Sequence, residues 1–119
     1  MRYISTRGSS PAPDNDAALR FDDVLLAGLA NDGGLYVPER WPPLTSTALE
    51  SYRDLGYADL AKRVIAPFVG DAIDEAALGA IIDDAYDGFD HPEIAPLVEI
   101  GPDRWLMELF HGPTLAFKD

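Results

Sequence analysis

The sequence has no cysteine, two lysines and no long apolar run. Without cysteine there are no disulfides, thiolate nucleophiles or cysteine-ligated zinc sites. With 9 basic residues against 21 acidic ones, at a net charge of −12, there is no cluster able to neutralise phosphates. Nucleic acid and anionic membrane surfaces are therefore disfavoured as partners. No segment approaches the ~18 apolar residues that cross a bilayer, and Met1–Gly8 lacks the apolar core of a signal peptide. A cytoplasmic protein is the expectation. The scarcity of lysine also matters, because chemistry that needs an amine side chain can use only Lys62 or Lys118.

What is present suits a folded domain: 119 residues, 47% apolar and 25% charged, enough to bury a core. Tyr3–Thr6 reads as a short strand, followed by a turn-rich Ser9-Ser-Pro-Ala-Pro13 loop. Phe21, Val24, Leu25, Gly28 and Leu29 share a helical face, with Asp22 as expected N-cap and Phe21 and Leu26 as expected staple. That helix is expected to stop at Asn31–Gly34. Leu35–Val37 then reads as a strand halted by Pro38 and paired with Tyr3–Thr6, and Trp41–Pro43 as a rigid linker.

Three helices follow. Thr47 with Glu50 has capping-box spacing for a helix to about Leu55. Tyr57, Leu60, Ala61, Val64, Ile65 and Phe68 form the clearest amphipathic pattern, and Pro67 is expected to end that helix near Ala66. Asp74 is positioned to cap the next, whose apolar face reads as Leu78, Ile81, Ile82, Ala85 and Phe89. Its acids, with Asp90 and Glu93, lack ligands at the third and twelfth positions of a calcium loop, so they read as a solvated face. Lys62 reads as exposed. Leu97–Ile100 and Trp105–Phe110 form a hairpin across Gly101–Arg104.

The chemistry concentrates in Glu108-Leu-Phe-His-Gly-Pro-Thr-Leu-Ala-Phe-Lys-Asp119. Thr114 suits the N-cap of a helix that begins Leu-Ala-Phe-Lys. A lysine there, beside Phe117 and at a helix N-terminus, is expected to be partly desolvated and opposed by the helix dipole; both lower an amine pKa. Spacing alone leaves open an exposed lysine at a fraying end. His111 reads as a proton carrier or a turn histidine bonded to nearby backbone, and Thr114 as a plain cap. Ser5-Thr6-Arg7 suits either a phosphate or strand-edge polar contacts, with Arg7 paired to an acid.

These twelve residues closely resemble the pyridoxal-phosphate lysine motif of the threonine synthase family. Tyr3-Ile-Ser-Thr-Arg-Gly8, Asp23-Val-Leu-Leu-Ala-Gly-Leu-Ala30 and Asp32-Gly-Gly-Leu-Tyr-Val-Pro-Glu39 resemble the start of the same family. The resemblance covers the whole chain but only the front portion of a complete threonine synthase. It implies a fold type II pyridoxal-phosphate enzyme, a lyase that converts O-phosphohomoserine and water to threonine and phosphate. Lys118 matches the lysine that binds the cofactor and then moves protons at Cα and Cβ. It also implies an α+β fold: a helical N-terminal domain with a small β-ribbon over residues 1–90, then over 91–119 the first hairpin and helix start of the catalytic domain. The chain stops within what reads as an element, and Asp32-Gly33-Gly34 is too short to cradle a phosphate. The 119 residues alone are therefore expected to be inactive and to need the rest of their catalytic domain as partner. The alternatives are a non-catalytic acidic interaction module and a related pyridoxal-phosphate phospho-lyase.

Overall fold

The computed structural model describes residues 1–8 and 19–119, so the Ser/Pro loop expected over 9–13 lies outside the described residues. Element order is β1 (Tyr3–Ser5), α1 (Phe21–Ala27), β2 (Tyr36–Pro38), α2 (Ser46–Tyr52), α3 (Tyr57–Val69), α4 (Glu75–Asp87), β3 (Leu97–Gly101) and β4 (Arg104–Met107). This is the mixed α+β fold that was expected; among the described residues the strands form two separate two-stranded sheets.

The strands β1 and β2 run antiparallel, with Tyr3 opposite Pro38, Ile4 opposite Val37 and Ser5 opposite Tyr36. Their period of two turns Tyr3 and Ser5 inward and Ile4 outward. The Tyr3 hydroxyl donates to the Phe68 carbonyl at 2.7 Å, tying the ribbon to the end of α3. Its ring meets Phe21 at the start of α1.

The first helix is shorter than its apolar pattern. Its N-cap is Arg20, not Asp22, and the Asp23 carboxylate accepts the Arg20 amide at 3.0 Å. Leu26 is 88% exposed, so no staple with Phe21 forms. Gly28, at φ 71°, ends the helix and donates to the Val24 carbonyl at 3.0 Å. Only glycine takes that backbone readily. The following turn brings Leu29 opposite Leu35 as an isolated bridge.

Thr45, rather than Thr47, caps α2: its hydroxyl accepts the Ala48 amide at 3.1 Å. Asp74 caps α4 as expected, accepting the Ala77 amide at 2.8 Å. Pro67 does not stop α3 at Ala66. The helix runs on to Val69, Gly70 donates to the Ala66 carbonyl at 2.9 Å, and Gly70 at φ 63° makes the exit. The acceptor that Pro67 leaves unused belongs to Arg63, an exposed residue, so water can satisfy it.

The core lies between α3 and α4. Val69 is 1%, Ile82 4% and Leu78 8% exposed, and Phe21, Ala58, Ala61, Ile65, Ile73 and Tyr86 pack on them. The buried row of α4 is thus Leu78–Ile82–Tyr86, one i, i+4 line. Ile81, counted as core by its spacing, is 55% exposed. Val64, also on the expected face of α3, is 46% exposed. On the polar side of the same pair, Lys62 is not simply exposed: it bonds Asp83 at 2.7 Å and Asp59 at 3.2 Å. Both acids hold its ammonium above the usual lysine range, Asp83 most strongly.

The hairpin of β3 and β4 pairs Leu97 with Met107, Val98 with Leu106 and Glu99 with Trp105, and shifts register before Gly101 opposite Arg104. Val98, Ile100 and Leu106 face one way; Leu97, Trp105 and Met107 face the other. All six are between 42% and 64% exposed. Strands apolar on both faces are typical of sheets covered on both sides. With extents of 54 × 29 × 28 Å, the radius of gyration is 17.3 Å, against roughly 13–14 Å for a compact chain of this length.

Candidate active site

The lysine loop hangs from the end of the hairpin. Strand β4 stops at Met107, short of the expected Phe110, although the Glu108 amide still donates to the Pro96 carbonyl at 3.0 Å. His111, half-buried, is anchored on three sides. Its Nε2 donates to Glu108 Oε2 at 2.8 Å, its carbonyl accepts the Asp90 amide at 2.9 Å, and its ring centroid is 4.9 Å from that of His91 and 4.7 Å from that of Phe110. The histidine is therefore held mainly by a carboxylate and flanking rings.

No helix follows Thr114. Residues 112–119 form two consecutive turns, in which Leu115 donates to the Gly112 carbonyl at 3.1 Å and Asp119 to the Ala116 carbonyl at 3.1 Å. Leu115 sits at φ 58°, outside the helical region. Thr114 is not a cap here but a partner of Asp119, whose carboxylate accepts the Thr114 amide at 2.9 Å, the Thr114 hydroxyl and the Ala116 amide at 3.3 Å. The bond from the Thr114 hydroxyl holds the Asp119 carboxyl below the usual range. These bonds consume amides that a first helical turn would leave free, which is why an aspartate can compete with the helix.

Lys118 is exposed, with its Nζ 5.6 Å from the Phe117 ring centroid. Neither the expected burial nor a helix dipole acts on it within this chain. Among the described residues no carboxylate pairs with its amine. Phe117 also walls a cavity of about 100 Å³, with Tyr57, Tyr86, Phe89, Ile94 and Leu109, where the helical part of the chain reaches the loop. Tyr57 and Tyr86 meet edge to face at 5.0 Å. Burial, and then Tyr57, push the Tyr86 phenol above its ordinary pKa.

Ser5, Thr6 and Arg7 are committed elsewhere. Ser5 Oγ donates to Asp32 Oδ1 at 2.8 Å, Thr6 Oγ1 accepts the Leu35 amide at 3.0 Å, and Arg7 donates to the Asp32 carbonyl at 2.8 Å. Arg7 thus meets a backbone oxygen rather than an acid side chain. Together they fill the Asp32–Gly34 turn. A Cβ on Gly34 would overlap Ser5 Oγ, and one on Gly33 would lie 3.3 Å from the Arg7 guanidinium. Among the described residues no group of His, Asp and Glu could hold a metal ion, and no helix is long and apolar enough to cross a membrane. Nothing in the sequence marks Asp119 and Gly112 as partners, although both lie inside the twelve-residue motif.

The family profile described as "Threonine synthase N terminus" matches residues 2–86. Threonine synthase of Pseudomonas aeruginosa is 52% identical over 119 residues, which is 100% of this chain and 24% of that protein. The crystal structure of PLP-bound threonine synthase from Brucella melitensis superposes with a TM-score of 0.91 at 43% identity, covering 99% of this chain and 24% of that one. Threonine synthase from yeast gives 0.85 at 35% identity, over 98% of this chain and 23% of the other. The chain spans about a quarter of the length of these relatives. With ribbon, helices and lysine loop all inside the shared region, it belongs to the threonine synthase family, matching that family's N-terminal part.

Proposed function

We propose that the chain serves as the N-terminal part of a cytoplasmic, pyridoxal 5'-phosphate-dependent lyase that converts O-phosphohomoserine and water to threonine and phosphate. Residues 1–90 act as the N-terminal domain, and residues 91–119 begin the catalytic domain. The observation that carries this reading is the Glu108–Asp119 loop, which presents an exposed, unpaired primary amine at the end of a hairpin built to be covered on both faces.

The residues present fit one end of the cofactor. The free amine of Lys118 suits the aldehyde of pyridoxal phosphate. Ser5, Thr6 and Arg7 are engaged with the Asp32–Gly34 turn, so the phosphate is assigned to other residues of the complete protein. When bound, the cofactor supplies an electron sink in its pyridine ring. Lys118 would hold it through its amine and, with substrate bound, could carry protons at the substrate Cα and Cβ. His111, fixed by Glu108, orients the start of the loop. The two apolar faces of the hairpin pack against the rest of the catalytic domain, which excludes water from the amine.

The test is the complete protein with Lys118→Ala. We expect loss of phosphate release from O-phosphohomoserine and of the visible absorption of lysine-bound cofactor. Retention of both would refute the assignment. The 119-residue chain by itself is expected neither to hold cofactor firmly nor to turn over.

A further inference from the structure

We propose that Asp119 is a positioning residue for Lys118, its carboxylate latching residues 112–119 into the loop that presents the amine. The inference rests on the reading of Lys118 as the cofactor lysine.

Two independent features support it. The first is the set of three bonds the carboxylate accepts, from the Thr114 amide, the Thr114 hydroxyl and the Ala116 amide. With the Asp119 amide donating to the Ala116 carbonyl, they close a ring of backbone that contains Lys118. The second is the room left for the latch. Gly112 is buried, and a Cβ on it would overlap Cβ, Cγ and Oδ2 of Asp119. A glycine is required there because the aspartate side chain occupies the space a larger residue would fill. The carboxyl is held in its charged form by the Thr114 hydroxyl, so the latch is closed at neutral pH. Lys118 itself makes no bond that would fix it. Its position is set by its neighbours, as the lysine of a preorganised site requires.

The chemistry separates geometry from charge. An asparagine can accept both amides through its oxygen and donate to the Thr114 hydroxyl through its nitrogen, so it can rebuild the latch without the charge. The experiment uses the complete protein titrated with pyridoxal phosphate, reading affinity and the pH midpoint of the bound cofactor's visible band. Asp119→Ala should weaken affinity on the order of tenfold and move the midpoint, because small displacements of a reacting group carry large penalties. Gly112→Ala should do the same. Asp119→Asn should return within about threefold of the parent, its hydrogen-bonding capacity being intact.

Parent-like affinity and midpoint in Asp119→Ala and Gly112→Ala would overturn the latch, as would Asp119→Asn being as impaired as Asp119→Ala. If Asp119→Ala does not fold by circular dichroism, Thr114→Ala decides. A midpoint moved in Thr114→Ala and restored in Thr114→Ser supports the latch, and an unmoved one overturns it. Lys118→Ala keeps the two claims apart. If it retains the parent's band, the lysine reading fails; if it loses the band while the Asp119 variants match the parent, only the latch fails.

Discussion

Replacing Ile82 by alanine removes three carbons from the seam between α3 and α4, where Ile82 is 4% exposed. Buried isoleucine-to-alanine changes cost about 2–5 kcal/mol, the spread reflecting how far neighbours collapse into the space. Here α3 contributes Ala58, Ala61 and Ala66 alongside Ile65 and Val69. The three alanines cannot swing in and Val69 is already packed at 1% exposure, so the space closes only in part and a value of about 3 kcal/mol follows. At about 0.05 kcal/mol per residue, the low end for globular proteins and apt for so small a core, the whole chain has about 6 kcal/mol. One substitution would remove half. Ile81, one residue away and 55% exposed, already has about half its surface in water, so Ile81→Ala should cost about 1 kcal/mol or less. Urea titrations followed by far-ultraviolet circular dichroism, at low protein concentration, measure the difference. With a slope of about 1.5–2 kcal/mol per molar for a chain of this size, the midpoint should fall by about 1.5–2 M for Ile82→Ala and by about 0.5 M for Ile81→Ala. Equal shifts would mean that α4 packs through a wider face, and the single-row account would be wrong.

Removing the hydroxyl of Thr45 or the carboxylate of Asp74 should cost about 1 kcal/mol each, as N-cap losses do, whereas Thr47→Ala should be nearly neutral; chemical denaturation distinguishes them. The raised Tyr86 pKa makes its contribution to stability complete below the ordinary value of 10.0 and lost as pH rises through the folded one. Thermal stability should therefore fall above about pH 10, and Tyr86→Phe should reduce that fall; an unchanged alkaline slope would contradict the assignment. The bare hairpin should drive association of the 119-residue chain, since Ile100, Trp105 and Phe110 are 64%, 58% and 51% exposed. Sedimentation should show oligomers that Trp105→Lys shifts toward monomer, and a monodisperse monomer of the parent at high concentration would refute this.

Where sequence reading succeeded, one physical signal dominated. The ribbon, the four helices and the hairpin follow from period-two and period-3.6 patterns bounded by glycine, proline and a capping residue. Asp74 was legible because the helical run Glu75-Ala-Ala-Leu78 follows it directly. Thr45 and Thr47 stand two apart, and the pattern favoured Thr47 through Glu50. Thr45 caps instead, being the first side chain after Pro42-Pro43-Leu44 able to reach back to an amide. Gly28 falls on the helical face by its spacing, yet its positive φ is what ends α1. Ile81 and Ile82 look alike in sequence; only the i, i+4 contact with α3 separates them. At the lysine loop, Thr114 before an apolar stretch is an ordinary helix start. The competing bonds from Asp119 depend on the chain folding back, which spacing does not encode. The lysine stands out in the motif, while its exposure does not follow from the apolar residues beside it.

The central claim is that Lys118 carries pyridoxal phosphate in the complete protein. Borohydride reduction of the cofactor-loaded full-length protein, followed by peptide mapping, tests it directly. The account predicts a single pyridoxyl-modified peptide with the label on Lys118; a label on any other residue would contradict it.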